Sequence, residues 1–142
     1  MKKSGLLLVA FLMTAMFAMD VEASAGPEPV RQIKKSHPVE VIYFHMTRRC
    51  VTCRAVETVT GEAVREHFAE ALKNGDVTFR SINLEDKENK ALVKKMKVSG
   101  QSLLVVNGPD RIDITDKGFL YAKTDPDKLK TVVQETVGKF IK

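Results

Sequence analysis

Two cysteines, Cys50 and Cys53, carry the clearest chemical signal in this sequence of 142 residues. Their C-x-x-C spacing serves redox dithiols, haem attachment and zinc binding in different proteins. Haem attachment requires a histidine directly after the second cysteine, and Arg54 occupies that position. A closed zinc site requires two more ligands, yet His37 precedes the first predicted strand and His67 lies about 20 Å along the predicted helix. The spacing therefore favours a redox-active dithiol.

The dithiol stands at the predicted junction of a strand and a helix, which gives each sulfur its own role. Unpaired backbone N–H groups and the positive end of the helix dipole stabilise a thiolate at Cys50, the predicted nucleophile. Arg48, Arg49 and Arg54 add positive charge at the same helix start. Cys53, one turn later and more deeply buried, is the predicted resolving thiol, which closes the disulfide and releases a partner. The alternative is an inert disulfide that clips the start of the helix.

Two further side chains near the dithiol allow more than one role. His45, five residues before the first cysteine, could act as a proton relay, or complete a Cys-Cys-His copper site, or be a packed and hydrogen-bonded strand residue. Glu57 could accept a proton from the resolving thiol, or form a surface ion pair with Arg54 or Arg65. The sequence leaves these alternatives open.

Strand and helix patterns alternate around the dithiol. Runs of β-branched and aromatic residues predict strands, and apolar residues at three- and four-residue steps predict helices. The predicted order is strand 39–44, helix 50–72, strand 77–82, helix 87–97, strand 102–106, strand 111–115 and a C-terminal helix from Pro126 to Ile141. The last two strands flank a turn at 107–110 and are predicted to be antiparallel.

Glycine and proline positions set the expected boundaries of these elements. Gly61 lies inside the first helical pattern, where we expect a bend or an interruption. Asn74-Gly75 is expected to end that helix, and Gly118 is expected to break the chain before the last one. Asp125 with Pro126 predicts an N-cap followed by proline at the first helical position. Local signals therefore delimit the predicted helices.

Residues 1–25 have the pattern of a secretory signal peptide. Lys2 and Lys3 precede an apolar run over 5–19, which is shorter than the roughly 20 residues of a membrane-spanning helix, and a small-x-small site ends at Ala25. Proline-containing residues 26–38 are predicted to form a flexible leader, and residues 39–142 a single domain. We therefore expect an exported protein, periplasmic or extracellular after cleavage near Ala25, without stable membrane insertion.

The charge of the chain bears on its partners. Its 23 Lys and Arg residues and 18 Asp and Glu residues give a formal net charge of +5. The basic residues are interleaved with acids and accompanied by few aromatics, so the sequence shows no pattern of a nucleic-acid groove. We expect a solvated surface, no nucleic-acid partner and a monomeric domain.

From Val39 to Ile141 the sequence resembles the thioredoxin superfamily. The resemblance rests on the order of elements, the C-x-x-C at the first helix, Ile82-Asn83-Leu84 after the second strand, Gly108 in the hairpin turn and Gly118 before the last helix. It implies an α/β, thioredoxin-like fold in which a mixed four-stranded central sheet is flanked by three main helices.

A narrower resemblance covers residues 43–57, Tyr-Phe-His-Met-Thr-Arg-Arg-Cys-Val-Thr-Cys-Arg-Ala-Val-Glu. This segment looks like the exported family named nitrophenyl-compound nitroreductase subunit, ArsF type. That name implies a reductase system, whose partners would be protein thiols or disulfides and a reductase subunit. Nothing in the sequence looks like a flavin site, so the redox-active disulfide itself is the expected redox group, with no further cofactor.

The sequence departs from the thioredoxin pattern at two places. Thioredoxins have Trp-Cys-Gly-Pro-Cys, whereas this chain has Arg-Cys-Val-Thr-Cys and no tryptophan. Ser102, after Gln101, occupies the place of the cis-proline that lines the groove opposite the dithiol and keeps metals from the sulfurs. The resemblance thus implies an exported thiol–disulfide oxidoreductase or electron-relay subunit, with a copper or other metal-binding module on Cys50, Cys53 and His45 as the alternative.

Overall fold

A four-stranded mixed sheet lies at the centre of the structure, a computed structural model that describes residues 37–141. Its strands are β1 (Val39–His45), β2 (Val77–Asn83), β3 (Ser102–Asn107) and β4 (Asp110–Asp113), in the spatial order β2-β1-β3-β4. β1 runs parallel to β2 and antiparallel to β3, and β4 is antiparallel to β3. This topology confirms the predicted α/β, thioredoxin-like fold class and the predicted antiparallel hairpin.

Five α-helices accompany the sheet within the described residues. They are α1 (Val51–His67), α2 (Ala69–Asn74), α3 (Lys90–Met96), α4 (Thr115–Tyr121) and α5 (Pro126–Gly138), and a short 3-10 turn (Lys87–Asn89) leads into α3. The first main helix of the prediction, 50–72, is divided into α1 and α2, and the other two correspond to α3 and α5. No helix in residues 37–141 is long and apolar enough to cross a membrane. The predicted signal peptide and residues 26–36 of the predicted leader lie outside the described residues.

The core consists of two layers, one on each face of the sheet. β1 is buried on both faces because its side chains alternate between the layers. Val41 and Tyr43 face α1 and α5, while Ile42 and Phe44 face the layer that contains Met96 of α3. The continuous apolar run of β1 therefore reflects its central position, with side chains buried in both layers.

Local signals place several helix ends correctly. Gly75 adopts a left-handed conformation with φ of +80° and ends α2, as Asn74-Gly75 predicted. The Asp125 carboxylate accepts a hydrogen bond from the backbone N–H of Lys128 at 3.1 Å, and Pro126 opens α5. The predicted N-cap and first-position proline are therefore confirmed.

The expected bend at Gly61 was wrong. α1 runs without interruption to His67, and the chain turns at Phe68, whose φ of −131° lies outside the helical range. Gly61 is buried, and a Cβ built on it would stand 3.0 Å from the ring of Phe79 on β2. The glycine thus permits close packing of α1 on the sheet, a tertiary requirement that its helix propensity does not reveal.

The segment after β4 was also predicted wrongly. β4 ends at Asp113, α4 begins at Thr115, and Gly118 lies inside that helix instead of breaking the chain. Asp113 accepts a hydrogen bond from the Thr115 N–H at 2.9 Å, which turns the chain out of the sheet. A Cβ on Gly118 would lie 3.2 Å from Leu103 and 3.4 Å from Val56. Gly118 is therefore the contact point of α4 with β3 and α1.

Candidate redox site

The dithiol lies at the end of the sheet where β1 and β2 finish and β3 begins. Cys50 is the N-cap residue of α1, with extended backbone angles of φ −73° and ψ 168°. It forms a disulfide with Cys53, and the two Cα atoms are 5.1 Å apart. The structure thus brings together the two cysteines that the sequence predicted as a redox pair.

The two sulfur-bearing residues differ in exposure and in backbone contacts. Cys50 is exposed, whereas Cys53 is buried, with 2% of its surface accessible. The Sγ of Cys50 accepts a hydrogen bond from the backbone N–H of Cys53 at 3.1 Å. The first-turn N–H groups of a helix lack intrahelical partners, so a thiolate released at this cap position is stabilised by them. An incoming molecule meets Cys50 first, with Cys53 behind it.

The three arginines at the helix start occupy different environments. Arg48 and Arg54 are exposed, but the half-buried Arg49 forms an ion pair with Glu57, two turns into α1. Glu57 therefore pairs with neither Arg54 nor Arg65, the two partners expected from the sequence. The charge of Arg49 is thus offset by a carboxylate, whereas Arg48 and Arg54 are exposed at the start of α1.

A buried tyrosine, which was not among the predicted site residues, lies beneath this pair. The hydroxyl of Tyr43, on β1, donates a hydrogen bond to Oε1 of Gln101 at 3.2 Å. Burial raises the pKa of Tyr43 to about 12, while the Arg49 guanidinium opposes this rise and the Glu57 carboxylate adds to it. The hydroxyl therefore lies within electrostatic reach of the ion pair. Its sequence signal was a hydroxyl group within the run Val-Ile-Tyr-Phe at 41–44.

Gln101 and Ser102, the predicted groove residues, lie beside the end of β1. Ser102 pairs with Phe44 in the β1–β3 register, and its hydroxyl donates to the carbonyl oxygen of Gly100 at 3.0 Å. Gln101 is tied to Tyr43, as described above. A serine therefore opens β3, and its hydroxyl is engaged by local backbone.

His45 is held as a packed strand residue. It is 8% exposed, and its ring centroid lies 6.0 Å from that of Tyr43. Its Nδ1 lies 2.9 Å from the carbonyl oxygen of Met46, so this nitrogen carries the proton and donates. No three Cys, His, Asp or Glu side chains in residues 37–141 form a group that could hold a metal ion. With the disulfide closed, His45 and the two cysteines are not such a group.

The loop between β1 and the dithiol is anchored to the end of β2, a feature that the sequence did not indicate. The N–H of Thr47 donates to a carboxylate oxygen of Glu85 at 2.7 Å, and Asn83 donates to the Thr47 hydroxyl at 3.0 Å. The hydrogen bonds from Thr47 lower the pKa of Glu85. These contacts fix the direction in which the chain enters α1, and hence the position of Cys50.

Of the comparisons with known proteins, only the one with solved structures finds similarity to this chain. No protein-family model matches the sequence, and no curated protein matches it. Among solved structures, one described as "Structure of a malarial protein" is similar, with 16% sequence identity and a TM-score of 0.42. The similarity covers 68% of this chain and 97% of that one.

Proposed function

We propose that this protein is a thiol–disulfide oxidoreductase or an electron-relay subunit that acts through Cys50 and Cys53. The observation that carries the proposal is the asymmetry of the pair, an exposed cysteine at a helix N-cap and a buried one a turn later. Such an arrangement favours attack by the outer sulfur and resolution by the inner one. An inert clip would not require an exposed first cysteine.

The proposed reaction consists of two exchange steps. In the reduced protein, the Cys50 thiolate attacks one sulfur of a partner disulfide, forms a mixed disulfide and displaces the second partner sulfur as a thiolate. Cys53, deprotonated, then attacks the Sγ of Cys50, closes the disulfide and releases the first partner sulfur. Two electrons pass to the partner, whose two thiolates take up protons. The reverse sequence oxidises a partner dithiol.

The surface around the dithiol suits a polypeptide partner. Val51, between the two cysteines, is 61% exposed, and Met46, in the preceding loop, is 36% exposed. These apolar side chains lie next to the exposed Cys50 and offer contact area to a protein that carries a thiol or a disulfide. In our proposal this partner is a reductase subunit or its client. The reaction takes place outside the cytoplasm, because residues 1–25 have the pattern of an export signal.

The decisive experiment measures the reduction potential of the purified protein by equilibration with glutathione. We expect a value within the range of catalytic members of this fold, from roughly −270 to −120 mV, and turnover in an insulin-reduction assay. A potential below about −300 mV, together with no turnover, would identify a structural disulfide and overturn the proposal.

Single-cysteine variants assign the two roles. Cys53→Ser should accumulate a mixed disulfide with a partner protein, because the resolving thiol is missing, whereas its matched counterpart Cys50→Ser should accumulate none. Both variants should lose turnover. Equal trapping by the two variants would contradict the assignment of Cys50 as the nucleophile.

A further inference from the structure

A cavity of about 530 Å³ lies at the end of the sheet opposite the dithiol. It is bordered by the start of β1, the end of α3 and the β3–β4 turn. Its volume falls in the range of small-molecule sites, roughly 300 to 1,000 Å³. Its lining combines cationic and apolar side chains, of which Lys95, Lys97, Arg111, Met96, Val106 and Pro109 matter here.

The charge of this cavity is unbalanced. Within residues 37–141, Lys95 and Lys97 form no ion pair, and both are exposed. Arg111 donates a hydrogen bond to the carbonyl oxygen of Met96, which holds its guanidinium at the cavity wall with other N–H groups still available. Glu40 also lines the cavity, but its carboxylate lies 3.5 Å from Arg80. The cavity is therefore a concentrated region of positive charge.

The backbone at Lys97 adopts a conformation in which a lysine is strained. Lys97 is the C-cap of α3 and has a φ of +50°, in the left-handed region that favours glycine. A residue with a Cβ is less stable in this conformation than glycine is. This strained position nevertheless places a cationic side chain at the cavity wall.

The opposite wall is fixed and partly apolar. Asn107 donates a hydrogen bond to the carbonyl oxygen of His37, and the imidazole ring lies on Gly108, so close that a Cβ there would stand 2.6 Å from it. Met96 and Val106 supply the apolar floor. Cations around an apolar floor match a ligand that has an anionic group and a small apolar body.

We propose that this cavity binds a small organic anion, a carboxylate or phosphate ester with an aromatic or short aliphatic body. The anionic group pairs with Lys97 and Arg111, and the body covers Met96 and Val106. This site is separate from the dithiol, and the proposal stands whether or not the dithiol is catalytic.

The proposal is tested by NMR titration of the isotope-labelled protein with phenyl phosphate. We expect saturable amide shifts at 95–97 and 106–111 and none at 50–54. Inorganic phosphate, which lacks the apolar body, should bind more weakly, and benzyl alcohol, which lacks the charge, should not bind. Absence of saturation at millimolar phenyl phosphate, or shifts centred on the dithiol, would overturn the proposal.

Two variants and a matched control locate the binding. Lys97→Gly and Arg111→Gln should each weaken phenyl phosphate binding about fivefold or more, whereas Lys94→Gln, on α3 but outside the cavity lining, should change it less than about twofold. Lys97→Gly should also raise the thermal midpoint by about 3 to 6 °C, because it relieves the left-handed lysine. Unchanged affinity in Lys97→Gly overturns the site, and a lowered midpoint overturns the inference that the backbone at Lys97 is strained.

Discussion

The two ends of the central sheet differ in whether their polar and charged side chains are paired. At the dithiol end, Arg49 is paired with Glu57, the Tyr43 hydroxyl is bound by Gln101, and Thr47 is bound by Glu85. At the other end, cationic side chains surround an open cavity. The first arrangement fixes the position of two sulfur atoms, whereas the second leaves charged groups available to a ligand.

This difference suits the two activities proposed above, disulfide exchange at one end and ligand binding at the other. Disulfide exchange requires that the attacking sulfur, its resolving partner and the nearby charges keep a fixed geometry, and mutually satisfied polar groups supply it. Ligand binding requires groups that are not yet satisfied. We therefore expect substitutions at one end to leave the properties of the other unchanged, and the predictions below test that independence.

The largest expected effect concerns Tyr43 in alkali. Its pKa is about 12 in the folded protein and about 10 in an unfolded chain. The folded state therefore retains the Tyr43 proton over this interval. The contribution of this group to the free energy of unfolding is complete below pH 10 and is lost as the pH rises towards 12. The free energy of unfolding should fall by about 2 to 3 kcal/mol across this interval from this group.

Chemical denaturation at a series of pH values checks this prediction. In Tyr43→Phe, the part of the fall in unfolding free energy that this hydroxyl causes between pH 10 and 12 should be absent. Tyr121→Phe, the matched control on α4, should still show it. Equal alkaline profiles for the wild type and Tyr43→Phe would show that the hydroxyl beneath the dithiol is not buried as the structure has it.

The next effect concerns the turn at the cavity end. Gly108 has a φ of +58° and lies under the His37 ring, whereas Gly75, with a φ of +80°, has no atom within 4 Å of a Cβ built on it. Gly108→Ala should cost about 2 kcal/mol in unfolding free energy, and Gly75→Ala about 1 kcal/mol, because only the first adds a steric clash to backbone strain. Thermal and denaturant unfolding measure the difference.

Neither glycine variant should move the reduction potential of the dithiol. A shift in Gly108→Ala that is absent in Gly75→Ala would show that the two ends are coupled, and would break the comparison drawn above. Equal stabilities of the two variants would instead mean that His37 does not pack on the turn.

Local sequence patterns predicted most of the strands and helices in their order along the chain, since these depend on signals that neighbouring residues carry, whereas the mixed sheet was expected from the resemblance to thioredoxins. The buried run of β1, the C-x-x-C at a helix start and the stop at Gly75 each have a local physical cause. α4 was missed because residues 111–115 alternate like a strand and Gly118 looks like a helix breaker. Gly118 instead allows α4 to pack against Leu103 and Val56, and this contact depends on residues distant in the sequence.

The candidate site was predicted only in part, because some of its contacts join residues that are distant in the sequence. Cys50 and Cys53 are recognisable by spacing, but the Tyr43–Gln101 hydrogen bond joins residues 58 positions apart. The Arg49–Glu57 pair spans eight residues, a separation beyond the three- and four-residue steps at which helix neighbours are expected. The pair joins Arg49, which precedes the N-cap, to Glu57, two turns into α1.

The smallest expected effect tests that ion pair. Glu57→Gln removes a negative charge and leaves the Arg49 charge uncompensated next to Cys50. Both changes favour the thiolate, so the reduced form should gain stability relative to the disulfide. We expect the reduction potential to rise by about 10 to 20 mV, equivalent to about 0.5 to 1 kcal/mol for a two-electron couple.

The matched variant Arg49→Gln should move the potential in the opposite direction, since it removes a positive charge and leaves Glu57 unpaired. The double variant should lie close to the wild type, because the two charges offset each other there. Glutathione equilibration measures all three proteins, and the rate of Cys50 alkylation gives an independent readout of thiolate formation. A lower potential in Glu57→Gln would mean that Arg49, once released, turns away from the dithiol instead of stabilising it.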